Sequence, residues 1–118
     1  MHRHFIRLIL VYTMLAASPA QNSPEPSSAD LSWSSLTSAM KKMHVAMAST
    51  KPSGSNDADF VSLMVPHHQG AIDMAKIELL NGKDPQMRRL AQEIITDQQS
   101  EIELMQLWLK QHHPDNKQ

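Results

Sequence analysis

Apolar side chains recur along this chain at helical rather than strand spacing. From Leu31 to Ala48, Trp33, Leu36, Met40, Met43 and Met47 follow one another at intervals of three and four, one continuous seam. Asp30 or Ser28 is the candidate N-cap, and Lys51-Pro52-Ser53-Gly54-Ser55 reads as the loop that follows. A second helix is expected from about Ala58 to Leu80, capped by Asp57, with Asp59 in its first turn where a negative charge suits the dipole. Asn81-Gly82 ends it, with Gly82 suited to a left-handed cap. Pro66 falls inside this pattern and predicts a kink, because it removes one backbone donor. Gly70 offers a smooth spot for a neighbouring helix. A third helix begins after Asp84, with Pro85 at its first position, and runs to about Gln111. Its stripe is Met87, Ala91, Ile94, Gln98, Ile102, Met105 and Leu109, widened by Leu90, Ile95 and Trp108. Nothing reads as a strand. Three amphipathic helices on short loops predict an all-α antiparallel bundle. Its core would be thin, so a homodimer that completes a four-helix arrangement is the natural companion expectation.

The first residues break this pattern. His2, Arg3, His4 and Arg7 make a basic start, Leu8–Ala17 an apolar run, and Ser18-Pro19-Ala20 a small-residue cleavage site. Residues 1–20 are therefore expected to be a secretory signal, with the run too short to span a bilayer. Residues 21–30, polar and carrying two prolines, read as a disordered linker, 31–113 as the bundle, and 114–118 as a flexible tail. The expected location is exported, in the periplasm, with no membrane insertion once the signal is cleaved. Without Arg3 and Arg7 the chain keeps nine basic and twelve acidic side chains, a formal charge of −3. A weakly acidic chain with no basic tract argues against nucleic acid as a partner.

There is no cysteine, so neither disulfides nor thiolate ligands are available. Candidate chemistry centres on Met64-Val65-Pro66-His67-His68-Gln69-Gly70-Ala71-Ile72-Asp73-Met74-Ala75. On a helix Met64, His67, Ala71 and Met74 share a stripe, and His68 lies one turn from Met64. Thioether and imidazole donors form a soft set that selects Cu(I), with Ag(I) as its analogue. Met40, Met43, His44 and Met47 repeat the theme on the first helix. The candidate ligands are thus Met40, Met43, His44, Met47, Met64, His67, His68 and Met74. Adjacent histidines point about 100° apart, so His67 and His68 cannot both aim at one centre. A buried Gln98 or Glu101 on the third helix would need a partner, and the histidine pair opposite supplies one. Each feature also has a plainer reading: methionine fills irregular cores well, and histidine satisfies buried polar groups.

The segment Asp59-Phe60, Met64 through Ala75, then Ile94-Ile95, Gln98-Gln99, Glu101-Ile102 and Met105-x-x-Trp108-Leu109 resembles the family called domain of unknown function 305. The resemblance covers roughly residues 57–110. It implies an exported, ferritin-like helical domain. It also implies a role in periplasmic copper binding and resistance, as in members of the CopM type. The Met40/Met43/His44/Met47 segment resembles their methionine-rich first helix more loosely.

A di-metal oxidase would need two inward Glu-x-x-His pairs, and this chain has none. A zinc hydrolase would need His-Glu-x-x-His, also missing. With no nucleophile–base pair or phosphate loop, the chain reads as a non-enzyme that sequesters Cu(I) or transfers it to a periplasmic partner. The competing class is a structural or protein-interaction module without metal.

Overall fold

A computed structural model describes residues 25–112. The expected signal, residues 21–24 of the expected linker, and His113 with the tail after it lie outside the described residues. Three helices account for nearly all the rest: α1 Ser28–Ala48, α2 Asn56–Asn81 and α3 Pro85–Gln111. The described residues contain no strand, and no described helix is long and apolar enough to cross a membrane.

The helix starts are set by side-chain caps. Ser27 Oγ accepts the Asp30 N–H at 3.2 Å, while the Asp30 carboxylate accepts from the Ser27 N–H at 3.1 Å and from its hydroxyl at 2.6 Å. This reciprocal box starts α1 at Ser28, so Asp30 is the third helical residue rather than the cap, and Ser28–Asp30 belong to the helix rather than the linker. Ser55, not Asp57, caps α2, its Oγ accepting the Ala58 N–H at 3.4 Å. Asp57 and Asp59 then both sit in the first turn. Asp59 also accepts the Ser53 N–H at 2.6 Å, which ties the α1–α2 loop to the helix start. Asp84 caps α3 as expected, accepting from Gln86 and Met87 at 2.9 and 3.0 Å, with Pro85 at the first position.

The end of α2 departs from expectation. Gly82 has φ −69° and ψ 145°, an extended conformation rather than a left-handed one. The reason lies on α3. Arg88 Nη1 donates to the Leu79 carbonyl at 2.6 Å and to the Gly82 carbonyl at 3.1 Å. A guanidinium thus satisfies terminal carbonyls that a left-handed cap would otherwise serve. Pro66 lies inside α2, which continues unbroken across it.

Short connections make sequential helices antiparallel neighbours. α2 is the central element, packed on α1 along one side and on α3 along another, whereas α1 and α3 scarcely touch. The buried apolar side chains are Ala39, Val61, Ile72, Ala75, Ala91 and Ile102. Half are alanines, which let the helix axes approach closely. Gly70 extends that logic: a Cβ there would stand 2.6–2.7 Å from Met43 Sδ, Cβ and Cγ. The α1 seam therefore docks on α2 where α2 has no side chain. Lys42 Nζ reaches Asp73 Oδ2 at 3.2 Å beside it, and Gln69 donates to the other Asp73 oxygen at 2.9 Å.

Candidate functional site

Among the described residues His68 is the buried polar side chain, 9 % exposed. Its position follows from the helix. His68 lies one turn before the fully buried Ile72, on the face of α2 that meets α3. Across that interface His68 Nε2–H donates to Glu101 Oε2 at 2.6 Å. The neighbouring His67 is rotated to solvent, and the two rings meet edge-on with centroids 6.0 Å apart. Adjacent histidines thus divide into an inward and an outward one, as 100° per residue requires.

Two buried polar atoms in this region meet no hydrogen-bond partner: His68 Nδ1 and Gln98 Oε1. Gln98 precedes Glu101 by three residues on α3, within the same turn. The buried His68 ring thus meets, across the α2–α3 contact, a carboxylate that stands partly in solvent, with Gln98 one turn before that carboxylate on α3.

The eight candidate ligands divide between two sides of α2. Gly70 and His68 are two residues apart, about 200° around the helix, so Met43 on Gly70 and the His68 ring lie on opposite faces. On the α1 side Met43 and Met47 are half-buried, Met40 is 41 % exposed and His44 is exposed. The register that puts Met43 on Gly70 sets Met40 level with Met74. Met74 itself lines an open apolar groove of about 330 Å³ with Leu36 of α1 and Met87, Leu90 and Ile94 of α3. On the α3 side stand His68 and, one turn before it, the half-buried Met64. The antiparallel register that pairs His68 with Glu101 sets Met105 opposite Met64, one turn along each helix. Among the described residues no group of three or more His, Asp or Glu side chains could hold a metal ion. A three-ligand site here has to draw on methionine.

The profile of the family described as domain of unknown function (DUF305) matches residues 11–113. The chain belongs to that family. Uncharacterised protein L153 of Acanthamoeba polyphaga mimivirus is similar to this chain, 39 % identical over 62 residues, 52 % of this chain. The match spans 41 % of that viral protein, so this chain corresponds to less than half of it.

Met105, like Met87, reads as a core side chain of the α3 stripe. Its signal was available: Met105 lies one turn after Glu101, a carboxylate beside a stripe whose members apart from Gln98 are apolar. Only the register between α2 and α3 turns that spacing into proximity to Met64. His112 caps α3: its ring donates to the Trp108 carbonyl at 2.8 Å and stacks on the Trp108 indole with centroids 4.2 Å apart.

Proposed function

We propose that this DUF305 protein is an exported Cu(I)-binding protein that sequesters the ion or hands it on, with no catalytic step. One observation carries the reading. His68 Nδ1 is buried, Met64 stands one helical turn before it on the same face of α2, and among the described residues no hydrogen-bond partner meets that nitrogen. A buried imidazole nitrogen with a thioether neighbour and no thiolate in the chain is a soft-metal donor set. The donors fit Cu(I) or Ag(I) better than the oxygen-seeking Ca²⁺ or Mg²⁺. His68 and Met64 are the residues that would hold the ion. Met40, Met43, His44, Met47 and Met74 form a separate reserve on the α1 side, and His67 is the exposed donor. The cysteine-free set suits an oxidising compartment, and the three-part N-terminus supports export to the periplasm. A periplasmic acceptor is the corresponding partner.

We propose further that two copies associate to complete a ferritin-like four-helix arrangement. What supports this is the arrangement of α1 and α3, which flank α2 without closing on each other. The groove between them stays open over Met74, and Trp33, Met40, Met87 and Leu90 remain exposed.

The deciding experiment is an anaerobic Cu(I) competition titration with Zn(II) as control. Tight, saturable Cu(I) binding that is lost on replacing Met64 and His68 together is the expected result. Binding no stronger than Zn(II) would remove the copper reading and leave the methionines as packing groups.

A further inference from the structure

We infer that Glu101 is a positioning residue that decides which nitrogen of His68 meets the metal. The inference rests on the Cu(I) reading above and specifies its ligand atom.

An ionised carboxylate only accepts hydrogen bonds, so the 2.6 Å contact between His68 Nε2 and Glu101 Oε2 places a proton on Nε2. A neutral imidazole carries a single N–H. Nδ1 is therefore left with its lone pair, and that lone pair is the buried atom without a partner. Metal-bound histidines typically donate their second ring N–H to a carboxylate or carbonyl, which fixes both tautomer and ring orientation. His68 and Glu101 already hold that relation. Glu101 stands partly in solvent, its side chain 59 % exposed, while the ring is 11 % exposed. The carboxylate therefore anchors the outer edge of the ring, and the inner edge is the one free to bind. One helical turn away stand Met64 on the same face of α2 and, by the register that His68–Glu101 sets, Met105 on α3. Both are neutral thioethers suited to the same ion.

The competing assignment is a purely structural pair, in which the Gln98 amide turns to donate to Nδ1. Long-range ¹⁵N–¹H spectra of the imidazole separate the two. Without metal, the wild-type chain is expected to show His68 as the Nε2–H tautomer. Glu101→Gln, whose amide can donate or accept, is expected to show a mixture of both. On adding Cu(I), the wild-type Nδ1 resonance should shift while Nε2 keeps its proton. Glu101→Gln should bind Cu(I) roughly 10–100-fold more weakly. Its urea midpoint, followed by circular dichroism, should stay close to wild type, because Glu101 is half in water. An Nδ1–H tautomer in the metal-free chain overturns the inference, as does a Cu(I)-induced shift on Nε2 with Nδ1 unmoved. A chain that shows the Nε2–H tautomer yet binds no Cu(I) overturns the ligand assignment through the copper reading itself. The metal-free spectrum makes that case distinguishable.

Discussion

Replacing Gly70 with alanine tests how α1 is seated on α2. In an isolated helix the substitution stabilises by about 1 kcal/mol, because glycine loses more backbone entropy on folding. Here the added Cβ would lie 2.7 Å from Met43 Cβ as well as 2.6 Å from its sulfur. A flexible sulfur can swing aside, but Cβ moves only with the α1 backbone. Overpacking of this kind costs about 1–3 kcal/mol. The net expectation for Gly70→Ala is a destabilisation of roughly 1 kcal/mol, a fall of about 4–8 °C in Tm for a domain of this size. The double-mutant cycle with Met43→Ala does not remove the Met43 Cβ, so it relieves the contacts to Sδ and Cγ only. In that background the 2.7 Å approach to Met43 Cβ persists, so Gly70→Ala should stay destabilising, and only the share carried by Sδ and Cγ, roughly 0.5 kcal/mol, should appear as coupling. Urea titration followed by helical circular dichroism measures all four corners of the cycle. A Gly70→Ala chain that gains stability, with the same gain in both backgrounds, would show that Met43 does not rest on Gly70.

Four other outcomes follow from the geometry. Replacing Met64 and His68 should lower Cu(I) affinity far more than replacing His44 or His67, which face solvent; equal losses in the competition titration would contradict the division of the two histidines. Met105→Leu keeps the packing volume, so it should cost under about 1.5 kcal/mol in urea while weakening Cu(I) binding; unchanged affinity would count against Met105 as a donor. Arg88→Met should destabilise by about 1–3 kcal/mol, since the Leu79 and Gly82 carbonyls lose a charged donor, and amide exchange at the end of α2 should quicken. The carboxyls of Asp30 and Asp59 are held below their ordinary value of 3.8, chiefly by hydrogen bonds from the hydroxyls and N–H groups of Ser27 and Ser53. A depressed folded value means the contribution is fully present above the ordinary value and lost as pH falls through the folded one. Asp30→Asn should therefore flatten the acid limb of the stability profile, and an unchanged limb in acid titration by circular dichroism would count against the capping box.

Some of this was legible in the residues alone because it depends on local spacing. The three-and-four intervals of Trp33, Leu36, Met40, Met43 and Met47 make α1 amphipathic in any setting, and Asp84-Pro85 starts α3 with a cap and a preset φ. The split between His67 and His68 also follows from 100° per residue, and a polar partner on α3 was foreseeable from Gln98 and Glu101 standing on an apolar stripe. Boundaries were less legible, because neighbouring Ser and Asp side chains compete for the same orphan N–H groups. Ser27 and Ser55 win only once the chain has turned into the helix. Tertiary structure decided the rest. Which histidine turns inward depends on which face of α2 meets α3, and Glu101 rather than Gln98 takes Nε2 because of the register between two antiparallel helices. Gly82 stays extended because a guanidinium from the next helix reaches its carbonyl. Met43 and His68 sit on opposite sides of α2 because α1 and α3 pack on different faces of one central helix. Spacing along a helix fixes angles about its own axis, but the identity of the neighbour at each angle is a property of the assembled bundle.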